Sequence, residues 1–234
     1  EQDSVSNALA LEALAYGDLS LSMSVSVPLL IAQIISEHGS EEQKGELLPK
    51  LVNGSIFHVG LGINNTFLST DPYQSSVTAE ENGEEIILNG SKTGVAFANQ
   101  ADTFLISASN ESGECNLYFV NKDQEGVSLE DKEFMGLKGA PLSQINLSNC
   151  RINASQKLGG HNYSINYEAL VDSSRIGMSA LALGVCQAIL DYVVPYTNER
   201  VAFDEPISNR QSVAFMIADM AIETEALRLM IYKS

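Results

Sequence analysis

Residues 172–234 read DSSRIGMSALALGVCQAILDYVVPYTNERVAFDEPISNRQSVAFMIADMAIETEALRLMIYKS. This stretch decides the fold, because its apolar side chains recur at three- and four-residue intervals, the spacing of one helix face. The two resulting stripes are Leu181, Val185, Ala188, Tyr192, Tyr196 and Val213, Ile217, Met220, Thr224, Leu227, Ile231. We therefore predict two helices whose stripes lie in a core. Pro195, inside the first of them, predicts a kink or an early end.

The sequence between residues 54 and 152 is different in character. Short runs rich in β-branched and aromatic residues, at 85–88, 103–108 and 116–120, are separated by turn signals. Asn82-Gly83 and Asn89-Gly90 are dipeptides that supply positive φ in tight turns. Short strands at this spacing, without helices between them, predict a compact antiparallel β-barrel or sandwich.

The first 53 residues are rich in Ala, Leu and Ser. Gly39 is placed to end one helix, and Ser40 to cap the next with Gln43 as its reciprocal partner. The segment 19–27 conflicts with this helical pattern, because its apolar residues alternate with serine at period two and by themselves predict a half-buried strand. Three parts follow from the sequence: 1–53 helical, 54–155 β, and 156–234 helical, an α+β fold.

The composition excludes several classes of function. The chain has 234 residues, of which 44% are hydrophobic and 18% charged, which is typical of a globular protein. Its formal net charge of −17 argues against nucleic acid and against an anionic membrane surface, since both need clustered Lys and Arg. No uninterrupted apolar run reaches the length of a membrane span, and the first residues resemble no targeting peptide.

The thiols and imidazoles predict no metal centre. Cys115, Cys150 and Cys186 lack a paired spacing and are interpreted as buried or incidental thiols in a reducing compartment. The three histidines are scattered along the chain, and a lone histidine is more often structural than a ligand.

Four groups of residues resemble the acyl-CoA dehydrogenases, and the last and longest of them aligns in one register. They are Gly39-Ser-Glu-Glu-Gln43 with Leu48-Pro49, Leu88-Asn-Gly-Ser-Lys92, Lys132 with Met135-Gly136, and the long helical stretch from Asp172 through Arg200, Phe203 and Gln211 to Tyr232. The resemblance implies the family's helical, β, helical order, and a helix rather than a strand over 19–27. Family subunits extend further at both ends.

The resemblance also implies a reaction. These FAD enzymes oxidise an acyl-CoA to the trans-2-enoyl-CoA in fatty acid β-oxidation: a glutamate removes the α-proton, the β-hydrogen leaves as hydride to flavin N5, and an electron-transfer flavoprotein takes the electrons. In most members the glutamate lies in a segment beyond the position of Ser234. In a minority it occupies the position of Ser174, which has no basic group. The catalytic base is therefore expected beyond Ser234.

The family's binding positions can be carried over one at a time. Arg200 implies a contact with the FAD pyrophosphate of a neighbouring subunit, beside Phe203 and Gln211. Further positions that imply cofactor contact are Asn64, Thr70, Val95 and Ala96, and those that imply acyl-CoA contact are Thr70, Asp172 and Arg175. Guanidinium suits a diphosphate because its planar fork is always charged.

Other positions depart from the family. Its Leu-Thr-Glu-Pro-x-Ala-Gly-Ser-Asp corresponds to residues 63–71, INNTFLSTD, and its Trp-Ile-Thr, which contacts the isoalloxazine, corresponds to Gly94-Val95-Ala96. Asp204 replaces a glycine beside the pyrophosphate, where a carboxylate would repel it.

Three interpretations stay open. The first is an FAD-dependent acyl-CoA dehydrogenase, and the second is a non-catalytic partner subunit that completes a neighbour's site in a hetero-oligomer. The third is an unrelated acyl-CoA or flavin module that shares only the fold. The resemblance implies a homo- or hetero-oligomer, in a bacterial cytoplasm or, as the second choice, a mitochondrial matrix.

Overall fold

The computed structural model describes residues 4–53, 58–65, 71 and 73–233. The helices are α1 (Ser4–Gly17), α2 (Leu19–His38), α3 (Glu41–Asn53), α4 (Tyr167–Glu199) and α5 (Gln211–Lys233). The strands are β1 (Val59–Gly62), β2 (Val77–Asn82), β3 (Glu85–Ala96), β4 (Thr103–Ser109), β5 (Cys115–Asn121), β6 (Val127–Lys132), β7 (Leu142–Asn153), β8 (Val201–Ala202) and β9 (Glu205–Pro206). The predicted helical, β, helical order is confirmed.

The chain forms two compact units. The first contains residues 1–23 and 172–234, and the second contains residues 24–171. The first unit is helical except for the β8–β9 hairpin, and the second holds the large sheet together with most of α2 and all of α3.

The large sheet of the second unit has seven strands. Its order is β1-β4-β2-β3-β7-β6, and β5 pairs with the other side of β4. The pairs are antiparallel except for β1 with β4 and a single bridge between Thr78 and Ser109. The β1–β4 pair runs parallel although the sequence predicted antiparallel strands, because β2 and β3 lie between these two strands in the chain and the connection crosses over.

Two hydrophobic cores lie on opposite faces of β4 and β5. Phe104 and Ile106 belong to one core with Tyr118, while Leu105 belongs to the other. The second core is completed by Ile31, Ile34, Ile35, Leu47 and Leu51 of α2 and α3. Side chains alternate between the two faces of a strand, so both strands supply apolar residues to each core.

The segment 19–27 is helical, as the resemblance implied and against its period-two pattern. In α2, Ser22 sits on the buried side and its hydroxyl donates to the Asp18 carbonyl, 2.6 Å away. Serine bonded to a preceding carbonyl in this way satisfies its own hydroxyl inside a helix. The alternation therefore carried no strand signal, because the serines do not need a solvent-facing side of a sheet.

Asn89-Gly90 was expected to form a turn, and this expectation is wrong. The pair lies inside β3 at a break in register between Leu88 and Gly90. Gly90 has φ +132°, and a Cβ there would lie 2.2 Å from the Ser76 carbonyl oxygen. The glycine allows a β-bulge and a close backbone approach, which use the same conformational freedom as a turn. Asn82-Gly83 does form the β2–β3 turn, with Gly83 at φ +64°.

The early end predicted at Pro195 does not occur, since α4 continues to Glu199. Proline removes one intrahelical hydrogen bond, and α4 retains those around it, including Arg200 N–H to the Tyr196 carbonyl at 2.9 Å. Of the predicted stripes, Leu181, Thr224 and Ile231 are buried, whereas Tyr192 and Tyr196 are exposed and do not belong to a core of the described residues.

By length and composition alone, α2 and α4 could cross a membrane. Their most apolar windows are 33% and 22% buried, respectively. A core helix of a soluble protein passes the same test, so the finding is weak evidence, and the predicted lack of a membrane span stays a prediction.

The helices of the first unit pack closely at Gly184. A Cβ built there would lie 2.2 Å from the Glu12 carbonyl oxygen and 2.8 Å from the Tyr16 nitrogen, both on the backbone of α1. Around this contact, Arg228 of α5 bonds the Glu12 carboxylate of α1 and the Gln187 amide oxygen of α4, the latter at 2.7 Å. The contact places α1 directly against α4.

We expect Gly184→Ala to destabilise the protein by about 2 kcal/mol, because a helix backbone cannot move aside locally. Gly177→Ala is the matched control: it lies in the same helix, and its Cβ would meet only Leu11 Cδ1 at 3.7 Å. The control should gain about 0.5–1 kcal/mol from helix propensity. Urea unfolding midpoints measure both changes, and equal shifts would contradict the close packing.

The predicted capping box of α3 is confirmed. Ser40 N–H donates to Gln43 Oε1 at 3.0 Å, and Gln43 N–H donates to Ser40 Oγ at 3.2 Å. The Gln43 side chain does more than cap the helix. Its Nε2 donates to the carbonyls of Ser155 and Lys157, and its Oε1 also accepts from Gly159 N–H. This amide joins α3 to the segment after β7.

We expect Gln43→Glu to cost about 2–4 kcal/mol, since a carboxylate removes both donors and faces two carbonyl oxygens in a buried place. Gln33→Glu is the control, because Gln33 is exposed and its amide only reaches Glu37 one turn along α2. That variant should lose no more than about 0.5 kcal/mol. Thermal unfolding of the two variants provides the comparison.

Candidate functional site

In the second unit, the end of β3 carries the positions that the resemblance assigned to the flavin. A register break separates Lys92 from Val95, which pairs with Ser143 of β7. Gly94 lies in this bulge at φ +65°. Among the described residues, a Cβ there would meet only Asn64 Nδ2, at 3.4 Å. In this part of the chain, the position of the family's tryptophan therefore has no side chain and space around it.

Val95 and Ala96 are buried, and Val95 belongs to the sheet core with Phe104 and Ile106. Their side chains are occupied by packing, so any contact that they make with a cofactor would come from their backbone. Phe97 follows with φ +57°, and its N–H donates to the Pro141 carbonyl at 2.9 Å.

Asn64 is brought beside this bulge. Thr93 N–H donates to its carbonyl at 3.1 Å, and its side chain is exposed. An amide there has both donor and acceptor groups for a ligand. Thr70 lies outside the described residues.

Sequence reasoning missed the cluster around Lys92, hereafter the Lys92 cluster (Lys92, Asn65, Ser75). Lys92 is 0% exposed, and its Nζ donates to Asn65 Oδ1 at 2.8 Å, to Ser75 Oγ at 2.9 Å and to the Ile63 carbonyl at 3.4 Å. Burial lowers the pKa of Lys92 to about 8, an effect that the Cys115 thiolate would oppose. The sequence did contain a signal for this cluster, because Asn65 occupies the position of a glutamate in the family motif.

In the first unit, the β8–β9 hairpin lies between α4 and α5, with Arg200 before β8, Phe203 in the turn and Gln211 at the start of α5. Its two turn residues, Phe203 and Asp204, have φ +57° and +64°. Positive φ at both central residues is the geometry of a type I′ turn. The Arg200 carbonyl accepts from Ile207 N–H at 2.9 Å. The hairpin leaves Phe203 86% exposed and presents Arg200 and Gln211 at the surface.

Arg210 is a second residue that sequence reasoning missed. Its guanidinium carbon lies 4.8 Å from the centroid of the Phe203 ring, within cation–π distance. Its Nη2 donates to the Ala202 carbonyl at 3.2 Å, and its buried Nε has no partner among the described residues. Arg210 therefore holds Phe203 in place within the hairpin.

Asp172 and Arg175 lie near the start of α4. They are three residues apart, so they share one face of the helix, and both are exposed. Ser174 between them is half-buried, and its hydroxyl is not a base at neutral pH.

These residues fit FAD in part. The segment from Arg200 to Gln211 fits the diphosphate and adenosine half, since it exposes a guanidinium before the hairpin, a ring in its turn and an amide at the start of α5. The Gly94 bulge offers space and backbone groups for the isoalloxazine ring system. It offers no side chain to stack on that ring.

Sequence models of the acyl-CoA dehydrogenase N-terminal, middle and C-terminal domains match residues 1–55, 67–150 and 166–234. A probable acyl-CoA dehydrogenase, FadE25 of Mycobacterium tuberculosis, is 31% identical over 99% of this chain and 61% of its own length. The short/branched chain specific acyl-CoA dehydrogenase, mitochondrial, of Rattus norvegicus is 30% identical over 97% of this chain and 54% of its own length.

A glutaryl-CoA dehydrogenase of Mycobacterium smegmatis, solved in complex with FADH2, has a TM-score of 0.81 and 28% identity, covering 99% of this chain and 60% of that one. The chain thus spans roughly 60% of the length of the relatives that it matches. Identity of this order over nearly the whole chain removes the interpretation of an unrelated module that shares only the fold. This chain belongs to the acyl-CoA dehydrogenase family, whose members depend on FAD.

Proposed function

We propose that the protein containing this chain is an FAD-dependent acyl-CoA dehydrogenase. The observation that carries the proposal is the connection between α4 and α5, where Arg200, the turn residue Phe203 and Gln211 at the start of α5 are all exposed. The reaction is oxidation of an acyl-CoA thioester to the trans-2-enoyl-CoA, with FAD, when bound, as the hydride acceptor.

The candidate residues keep the roles that the resemblance implied. Arg200 binds the pyrophosphate of FAD, Phe203 and Gln211 lie beside its adenosine half, and Asn64 lies at the edge of the flavin position. Asp172 and Arg175 bind the acyl-CoA, since both are exposed on one face of α4. The α-proton is removed by a glutamate beyond Ser234, because Ser174 cannot accept it.

The proposal extends to partners and organisation. Electrons pass to an electron-transfer flavoprotein, and the protein is an oligomer in which the hairpin reaches a neighbour's FAD, in a bacterial cytoplasm or a mitochondrial matrix. The division into 1–53, 54–155 and 156–234 is supported by the similar ranges of the three family models.

A second candidate function is a non-catalytic partner subunit. It is favoured by the contrast between two places: the hairpin retains its exposed binding groups, whereas Gly94 has no side chain and Val95 and Ala96 are buried. Such a chain would contribute Arg200 to another subunit's cofactor while holding none itself.

An absorption spectrum of the whole purified protein between about 350 and 500 nm distinguishes the two. The dehydrogenase proposal expects flavin bands that bleach when acyl-CoAs are added anaerobically. Arg200→Met should weaken FAD binding about 10- to 100-fold, the value of one charge-assisted contact, because the guanidinium is lost. Arg151→Met is the control, since Arg151 is an exposed arginine of the sheet paired with Glu85. A colourless protein that cannot be reconstituted would leave the partner subunit as the function.

Asp204→Gly should both stabilise the protein and tighten FAD binding. Glycine adopts the φ of +64° without steric cost, which is worth about 0.5–1 kcal/mol, and the carboxylate no longer repels a diphosphate. Asp204→Asn separates the two effects: asparagine also tolerates this conformation, so it should tighten binding with little change in stability. Thermal unfolding measures the change in stability, and FAD fluorescence titration measures the change in binding. Weaker binding in both variants would show instead that Asp204 contributes a contact.

A further inference from the structure

Lys92 is a buried cation without a carboxylate partner. None of the ion pairs between described residues includes it, and its side chain is 0% exposed. Three neutral acceptors receive its three N–H donors. Such a group is costly to bury, and replacing buried ionic groups with apolar ones is often neutral or stabilising. Its presence therefore needs a reason other than stability.

The acceptors of Lys92 lie on two different stretches of chain. The Ile63 carbonyl and Asn65 follow β1, whereas Ser75 precedes β2. Lys92 itself is in β3, so one amine joins three segments of the unit. Gly62 lies against the stem of Lys92 and makes room for Ile106, since a Cβ there would lie 2.6 Å from Ile106 Cδ1 and at an ordinary contact distance of 3.5 Å from Lys92 Cβ.

Asn65 extends this connection. Its Oδ1 accepts from Lys92 and also from Ser76 N–H at 2.9 Å, and its Nδ2 donates to the carbonyls of Asp71 and Gln74. The glutamate of the family could accept the first two bonds but could not donate the last two. Asparagine therefore connects both stretches, and leaves the ammonium without a counter-charge.

The residue held by these bonds is Asn64. It lies between Ile63 and Asn65, both bonded to Lys92, and its carbonyl accepts from Thr93 N–H next to Lys92. Its side chain borders the space at Gly94. The Lys92 cluster thus fixes the backbone on both sides of a candidate cofactor residue.

We propose that Lys92 is a positioning residue, whose buried ammonium places Asn64 beside the Gly94 bulge at the expense of global stability. The placement stands on the described contacts, and its effect on the cofactor rests on the proposed function.

The test compares Lys92→Met with Lys122→Met in the whole protein. Methionine keeps most of the stem and removes the donors. Lys122 is the matched control, because it is a lysine of the same unit that donates to a backbone carbonyl, that of Asn99, away from this cluster. Hydrogen exchange of the Ser76 and Thr93 amides reports placement without any cofactor, urea unfolding reports stability, and FAD titration reports function.

In Lys92→Met we expect the midpoint of unfolding to stay or rise, while exchange at Ser76 and Thr93 accelerates at least about tenfold through local opening. FAD binding should weaken in parallel, whereas Lys122→Met changes none of the three. A variant that fails to fold would overturn the proposal in favour of a structural role. The same holds if exchange at Ser76 and Thr93 accelerates only as much as the loss of global stability explains. Unchanged exchange would overturn it as well.

A pH profile gives an independent readout. Because burial lowers the pKa of Lys92 to about 8 from its ordinary 10.5, the unfolded chain binds the extra proton between these values. Stability should therefore rise with pH in that window, by up to about tenfold per pH unit in the unfolding equilibrium constant. A Cys115 thiolate on β5 would raise the pKa of Lys92, but burial raises the pKa of that thiol. The Asp71 carboxylate accepts a hydrogen bond from Tyr73 N–H. The neighbouring Gly62 of β1 and Ile106 of β4 are uncharged.

Asn65→Asp supplies the missing counter-charge and should shift this rise to higher pH. Exchange at Ser76 should not accelerate in this variant, because a carboxylate oxygen can still accept the Ser76 N–H. An unchanged profile would overturn the proposal. If no variant binds FAD but exchange follows these expectations, the proposed function fails and the placement by Lys92 stands.

Discussion

The structure of the second unit depends on two strands that are buried on both faces. β4 and β5 supply Phe104, Ile106 and Tyr118 to one hydrophobic core and Leu105, Leu117 and Phe119 to the other. With side chains alternating across the sheet, a shift of one residue in either strand would exchange the two cores. This constraint fixes the register of β1 and β2 against β4, and β3 follows through its antiparallel pairing with β2. The positions of Lys92 and Gly94 follow from it.

The first unit combines a close approach of helices with a hydrophobic core that includes Leu183 and Ile231. Gly184 lets the α1 backbone touch α4, and the half-buried Arg228 then joins α5 to Glu12 and Gln187. Small residues and a hydrogen-bonded guanidinium determine the spacing of three helices there. The surface of α5 away from this contact carries exposed Phe215, Met216, Ile222, Leu229 and Met230.

Candidate cofactor residues lie in two separate places, one in each unit, where the backbone enters the left-handed region. At the hairpin, non-glycine residues occupy the left-handed region, where side chains are costly, and the turn presents Phe203 with Arg210 against its ring. At the β3 bulge, glycine occupies that region and no side chain is presented. In both places polar groups hold backbone: Arg210 bonds the Ala202 carbonyl, and Lys92 bonds the Ile63 carbonyl.

The sequence by itself determined the order of the helical and β parts, the cap made by Gln43 and the turn at Gly83. Helix periodicity, caps and tight turns depend on neighbours a few residues away. It also identified the family and the exposed hairpin positions. Only the tertiary structure decided that Asn89-Gly90 is a bulge, that Val95 faces a core while Ala96 is buried, and that Lys92 is buried with bonds to two other stretches of chain. These depend on residues far apart in the chain, such as Ser76 against Gly90 and Asn65 against Lys92, and the energetic cost of a buried group is set by what surrounds it rather than by its sequence neighbours.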